Sequence, residues 1–152
     1  MDTSRRAQLV MDVLQHAINR DFDEAMQVMD EIAAASNGLE MYGVCCAFAD
    51  AARQTLVRLY GHPSPEFLWA LAAPDPAHGP QHPAHAFSLR FITAYANRDM
   101  PMCKALYLAA ANANPEDYGH SVTALIGDVA HLARVALQEL PAGGERPARH
   151  LH

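Results

Sequence analysis

The sequence has almost no lysine and no long apolar run. Lys104 is the single lysine, and 11 cationic residues against 17 acidic ones give a formal net charge of −6. This balance argues against nucleic acid as the main partner, because proteins bind a phosphate backbone through clustered lysine and arginine. No apolar stretch reaches the roughly 18 residues that a membrane-spanning helix needs. The opening MDTSRRAQLV is not a signal peptide. We therefore expect a cytoplasmic protein that binds neither nucleic acid nor a membrane.

Cysteine is also scarce in this chain. The sequence contains three cysteines, an odd number, and two of them, Cys45 and Cys46, are adjacent. Neighbours on a helix point about 100° apart and do not easily bridge to each other. Because no CxxC spacing occurs and the count does not suit a disulfide framework, we expect free thiols in a reducing compartment.

Familiar catalytic motifs are absent as well. The sequence contains no serine nucleophile elbow, P-loop, GxGxxG or HExxH motif. A nucleophilic Cys45 or Cys103 needs a histidine nearby, and the sequence offers His16, His120 and His131. All three cysteines lie in apolar helical segments, however, where cysteine usually packs as a small hydrophobic residue. We predict no enzymatic activity and no cofactor.

Alanine is the residue that the sequence has in excess. It supplies 29 positions and is the strongest helix former, and 51% of the chain is hydrophobic, enough to form a core. The joint abundance of Ala, Arg, Pro and Gly is typical of a GC-rich genome and favours a bacterial source. Apolar residues recur at helical spacing, which predicts an all-α fold of six or seven helices. The predicted helices cover residues 4–18, 21–36, 39–60, 64–73, 84–96, 99–113 and 115–139.

Short polar residues, proline and glycine mark the ends of these helices. Thr3 or Ser4 is expected to cap the first helix and Asp21 the second. Residues 74–83 hold four prolines and predict an exposed connector. The glycine-containing residues 141–152 predict a flexible tail.

The two halves of the chain resemble each other. Asn-Arg-Asp occurs at residues 19–21 and again 78 residues later, at 97–99. Without a gap, this offset gives ten identities between residues 17–60 and 95–138, although alanine often matches itself by chance. A local offset of 76 residues competes with it, since Tyr-Gly occurs at residues 42–43 and 118–119.

These matches predict an internal duplication of a three-helix unit. We expect one helical domain over residues 1–140, a compact bundle packed through its long third helices. Its parts are a first repeat at about 5–61, a linker with a short helix at 62–83, and a second repeat at 84–140.

Asp50 and Asp128 are aligned by the offset of 78, and each lies in the most apolar helix of its repeat. A carboxylate in such a setting needs a partner, because an unpaired buried charge is costly. In a functional interpretation the two acids bind a metal or a basic ligand, or one acts as a general base. In a structural interpretation, which we favour, each pairs with a cationic residue or faces solvent beside one. The candidate partners are Arg20, Arg98, Arg53 and His131.

Histidines in and beside the proline-rich connector are the weak candidates for a metal site. His78, His82 and His85 are close in sequence, and His62 is a candidate fourth ligand. Zinc and nickel sites do use clustered imidazoles. The spacing fits no closed site, however, and no cysteine accompanies it. We therefore assign no metal to these residues.

The sequence as a whole favours a non-enzymatic protein-interaction or regulatory module. Methionines on several helices suit an adaptable peptide-binding groove, although packing in the core is their usual role. An Ala-rich fold with many apolar residues also leaves surface for self-association, so a homodimer is expected. The alternative is a small-ligand or metal-binding protein whose site lies at the interface between the two repeats.

Overall fold

The computed structural model describes residues 1–62 and 82–139, which form six α-helices. The helices are α1 (Thr3–Ile18), α2 (Phe22–Ala34), α3 (Gly38–Tyr60), α4 (Pro83–Ala96), α5 (Met100–Ala111) and α6 (Pro115–Glu139). Because this part of the chain contains no strand, the prediction of an all-α fold is confirmed for it. The short helix predicted at 64–73, His78 and the predicted tail 141–152 lie outside the described residues.

The cap of α1 differs from the predicted one. The carboxylate of Asp2, not a hydroxyl of Thr3 or Ser4, accepts a hydrogen bond from the N–H of Arg5 at 2.7 Å. Asp is as good an N-cap as Ser and adds a negative charge at the positive end of the helix. The helix therefore includes Thr3 and Ser4.

Asparagine begins both long third helices. Asn37 accepts from the N–H of Glu40 at 2.8 Å, and the Glu40 side chain accepts from the N–H of Asn37, which completes a capping box. Asn114 likewise accepts from the N–H of Asp117 at 2.9 Å. The two caps lie 77 residues apart.

The α1–α2 and α4–α5 turns have the same backbone structure. Arg20, with φ of 66°, adopts the left-handed conformation, and its N–H donates to the carbonyl of Ala17. The N–H of Asp21 donates to the carbonyl of His16. In the second turn the corresponding bonds run from Arg98 to Tyr95 and from Asp99 to Ala94. Both turns are Schellman motifs with arginine at the position that glycine usually takes, and their offset is 78 residues.

The buried positions of α1–α3, the first unit, recur in α4–α6, the second unit. Residues 6, 9, 10, 13 and 14 of α1 are buried, as are 84, 87, 88, 91 and 92 of α4, which lie 78 residues later. In the third helices, the offset of the buried positions is 77: residues 44, 45, 48, 49 and 52 match 121, 122, 125, 126 and 129. The offset changes because α5 has 12 residues and α2 has 13.

Helices α3 and α6 pack against each other and join the two units. The other extensive contacts are between α4 and α6 and between α1 and α2. Buried residues from all six helices form one continuous hydrophobic cluster. Its largest fully buried side chains include Phe48, Phe91, Ile32, Ile92, Leu125 and Ile126. None of the six described helices has both the length and the apolar character that crossing a membrane requires.

Candidate functional site

Asp50 binds side chains of its own helix and of α4. Its Oδ1 accepts from Arg53 Nε at 3.1 Å and from the Tyr95 hydroxyl at 3.3 Å. Its Oδ2 accepts from Gln54 Nε2 at 2.6 Å. Arg53 is one of the candidate partners that the sequence offered for Asp50. Three donors hold the carboxylate at the junction of α3 and α4, which gives it a role in packing these helices.

Asp128 has a different partner, on α4. Nδ1 of His85 lies 3.0 Å from Oδ2 of Asp128, a buried oxygen that takes part in no hydrogen bond of favourable geometry. The contact is therefore a close approach of the two side chains and not a hydrogen bond. In the offset of 77, Asp50 corresponds to Gly127, so the two acids do not occupy equivalent positions of their helices.

Arg20 and Arg98 serve the backbone of the two Schellman turns. Each adopts the left-handed conformation that ends one helix immediately before the cap of the next. The repeated triplet that contains them is thus explained by turn geometry. The contacts of Asp50 and Asp128 described above are made with Arg53 and His85 instead.

Two of the histidines considered as weak candidates for a metal site, His82 and His85, have separate tasks. His82 caps α4, since its Nδ1 accepts from the N–H of Ala84 at 3.1 Å. Its ring also packs edge-on against His120, with 6.1 Å between the ring centroids. His85 contacts Asp128, as described above. His78, another of these candidates, lies outside the described residues.

A different group of metal-ligand atoms lies at the α1–α2 turn. Ligand atoms of His16, Asp21 and Glu24 are all within 4.8 Å of one another, and His16 Nδ1 is 3.4 Å from Glu24 Oε2. Sequence reasoning missed this group because its members fall on both sides of a helix break. The two acids are exposed, and exposed carboxylates often cluster without a metal, so the group alone does not establish a site.

Burial suppresses the reactivity of the thiols. Cys45 and Cys103 are fully buried, and desolvation raises the pKa of Cys45 to about 12 and that of Cys103 to about 11. The pKa of Cys46 is also raised by burial. Because the thiolate is the nucleophile, the raised pKa values favour the less reactive thiol form at neutral pH. They pack as small hydrophobic residues, in agreement with the sequence interpretation.

A tyrosine pair links the second unit to the start of α3. The Tyr107 hydroxyl donates to the carbonyl of Gly38 at 3.1 Å, which leaves it to accept from the Tyr118 hydroxyl at 3.0 Å. Tyr42 packs edge-on against Tyr107, with 5.4 Å between centroids. Desolvation raises the pKa of Tyr42 to about 12. The pair supports the junction between the units.

An open cavity of about 410 Å³ lies within the second unit and is named here the α4–α6 cavity. Buried Ala84, Phe87 and Ser121 contribute to its wall, together with exposed residues at its edge. The other lining residues are His82, Pro83, Ala86, Arg90, Leu106, Ala109, Ala110, Ala113, Asp117 and His120. Its residues come from the second unit alone, whereas the ligand site considered from the sequence lay between the two repeats. The wall is mainly apolar with a few polar groups, which is the usual character of a ligand site.

The corresponding place in the first unit is taken by Arg6. Its side chain is only 11% exposed, its Nε donates to Ser36 Oγ at 3.1 Å, and its Nη2 donates to Glu40 Oε2 at 3.0 Å. The offset of 78 makes Ala84 the counterpart of Arg6. The offset of 77 makes Ala113 and Asp117 the counterparts of Ser36 and Glu40. All three counterparts line the α4–α6 cavity.

No protein-family model, curated protein or solved structure matches this chain.

Proposed function

We propose that this protein is a non-enzymatic protein-interaction module, made of two copies of a three-helix unit, and that its second unit holds the recognition site. The α4–α6 cavity carries the proposal. It is an opening of about 410 Å³ at a place where the first unit is filled by Arg6. The first unit thus fills this place with its own arginine, whereas the second unit leaves it open to a partner.

The duplication is supported by geometry that alanine content does not produce. Both Schellman turns have the same pair of hydrogen bonds and arginine in the left-handed conformation. Five buried positions of α1 recur in α4, and five of α3 recur in α6. A run of alanines would raise sequence identity, but it would not reproduce the hydrogen bonds of both turns or the buried faces of both pairs of helices.

A binding function suits the state of the reactive side chains. The three thiols have raised pKa values, and Asp50 is held by three donors. The candidate nucleophiles and the candidate base are therefore engaged in packing. Only the α4–α6 cavity, among the sites described above, combines an apolar wall with polar groups open to solvent.

A protein partner fits this cavity better than a fully enclosed small molecule. Several lining residues are exposed, including His82, Arg90, Ala109 and Asp117, so the opening is wide. A small ligand usually has most of its surface buried in its pocket. A side chain of a partner protein, in contrast, needs only its tip to be buried in the cavity, because its other end is attached to the partner backbone. A small ligand is the second candidate, since about 410 Å³ lies within the usual volume range of such sites.

Peptide selection tests the proposal directly. A displayed random peptide library is panned against the wild-type chain, and bound peptides are counter-selected on Ala109→Trp, which adds an indole at an exposed position of the cavity lining. Ala105→Trp is the control, because Ala105 is exposed on the same helix but does not line the cavity. Circular dichroism verifies that both variants retain their helices.

We expect peptides that bind the wild type and Ala105→Trp equally and Ala109→Trp at least tenfold more weakly. A library that gives no enriched peptide, or peptides that bind all three proteins alike, would overturn the α4–α6 cavity as a protein-recognition site.

A further inference from the structure

We propose that the α4–α6 cavity receives an arginine side chain of the partner protein, in the place that Arg6 takes in the first unit. This inference rests on the proposed function and names the group that the site recognises. It depends on a comparison of two equivalent places in one chain, of which one contains its own arginine and the other does not.

The first unit shows how an arginine fits this frame. Arg6 points from α1 toward the α2–α3 turn, where Ser36 accepts from its Nε and Glu40 from its Nη2. The carbonyl of Met1 accepts a further hydrogen bond from Nη2 at 3.3 Å. A guanidinium has its donors in a planar fork, so it satisfies several acceptors at once. The methylene stem is buried with it.

The second unit keeps the acid and lacks the arginine. Asp117 follows the helix cap Asn114 as Glu40 follows Asn37, and its N–H donates to the cap in the same way. Oδ2 of Asp117 accepts from Asn114 Nδ2 at 2.8 Å. A carboxylate has about four acceptor sites, so it retains capacity for a guanidinium. Alanine at 84 and 113 replaces the arginine and the serine, which opens the space.

The remaining wall suits the stem of an arginine. Phe87, Leu106 and Ala110 give an apolar lining against which three methylene groups pack. Arg90, which is exposed at the edge of the cavity, is a charged residue of the lining that repels a cation. The inference therefore predicts opposite effects of removing the two charges. Asp117→Asn weakens binding of an arginine, and Arg90→Gln strengthens it.

Matched probes separate recognition of the cation from recognition of its shape. N-acetyl-L-arginine amide is titrated into ¹⁵N-labelled protein, followed by N-acetyl-L-citrulline amide, its uncharged isostere, and N-acetyl-L-glutamate amide. We expect the arginine probe to shift the amide resonances of Phe87, Ala110 and Ser121 saturably. Because the carboxylate is near the surface, the citrulline probe should bind about threefold to tenfold more weakly. Asp117→Asn should remove this difference.

Equal binding of the arginine and citrulline probes, stronger binding of the glutamate probe, or no shift of these resonances would overturn the inference. The double variant Ala84→Arg with Ala113→Ser introduces the counterparts of Arg6 and Ser36 into the second unit. The new arginine should fill the cavity and abolish the resonance shifts that the arginine probe causes. If it fails to fold, Ala109→Trp serves the same purpose at an exposed position.

Failure of this inference is distinguishable from failure of the proposed function. One outcome is a set of selected peptides that contain no basic residue and still bind Ala109→Trp more weakly than the wild type. That result would keep the cavity as a recognition site but reject arginine as the group it binds. If the probes bind but no peptide is enriched, the cavity recognises a free guanidinium compound, and the proposal of a protein partner fails.

Discussion

Asp21 and Asp99 occupy the same position in two turns of the same backbone structure, yet only Asp99 caps the helix that follows. Oδ1 of Asp99 accepts from the N–H of Met102 at 3.1 Å, whereas the side chain of Asp21 makes no capping hydrogen bond and lies beside His16 and Glu24. One motif thus serves two different side-chain arrangements.

This difference predicts unequal costs for matched substitutions. Asp99→Ala removes a capping hydrogen bond, and we expect it to lower the free energy of unfolding by about 1 kcal/mol. Asp21→Ala removes a carboxylate that faces the helix start without capping it, so its cost should be less than half as large. Urea denaturation followed by circular dichroism measures both. Equal losses would show that the two turns do not differ in solution.

A second prediction concerns the arginines in the left-handed conformation. This conformation costs an L-residue about 1–2 kcal/mol, whereas glycine adopts it freely but loses more entropy on folding. We therefore expect Arg20→Gly and Arg98→Gly each to raise the free energy of unfolding by about 0.5–1 kcal/mol. Arg20→Ala and Arg98→Ala keep the backbone penalty and are the controls. If the alanine variants gain as much free energy of unfolding as the glycine variants, the gain does not come from relief of the left-handed backbone conformation.

Most ends of the described helices followed from local chemistry, but two predicted caps were wrong: Asp2 rather than Thr3 or Ser4 caps α1, and the side chain of Asp21 makes no capping hydrogen bond to α2. Helix ends at residues 19–21, 37–38, 97–99 and 114–115 coincide with the polar, glycine and proline signals of the sequence. The change of offset from 78 to 77 was not visible, however. Alanine fills residues 33–35 and 109–111, so these runs partly match at either offset and hide the residue that α5 lacks. The apparent equivalence of Asp50 and Asp128 came from this ambiguity.

The cavity could not be predicted from sequence for a related reason. It exists because Ala84 and Ala113 are small where the first unit has Arg6 and Ser36, and these two pairs follow different offsets. Alanine on a predicted helix looks like helix-forming composition, and nothing local shows that space is left beside it. A burial pattern compared between the two units would have found it.

The buried arginine of the first unit predicts a further stability difference. Arg6→Met keeps the apolar stem but removes the hydrogen bonds to Ser36 and Glu40, and we expect a loss of about 1–3 kcal/mol in the free energy of unfolding. The neighbouring Arg5→Met is the control. Arg5 is exposed and its guanidinium lies 3.8 Å from the carboxylate of Glu31, so the loss on removing this side chain should be within about 0.5 kcal/mol. Thermal and urea unfolding of both variants would show whether Arg6→Met lowers the free energy of unfolding more than Arg5→Met does.

Stability should also fall at alkaline pH. The folded chain raises the pKa of Tyr42 from 10.0 to about 12 and that of Cys45 from 9.0 to about 12, in both cases mainly through burial. The folded state therefore retains these protons where the unfolded state releases them. The contribution is complete below about pH 9 and is lost as the pH rises toward 12. Urea unfolding at intervals from pH 8 to pH 11 should show this decline, and Tyr42→Phe should reduce its slope above pH 10, whereas Tyr60→Phe, at an exposed position, should not. A free energy of unfolding that stays constant up to pH 11 would contradict the burial of these two groups.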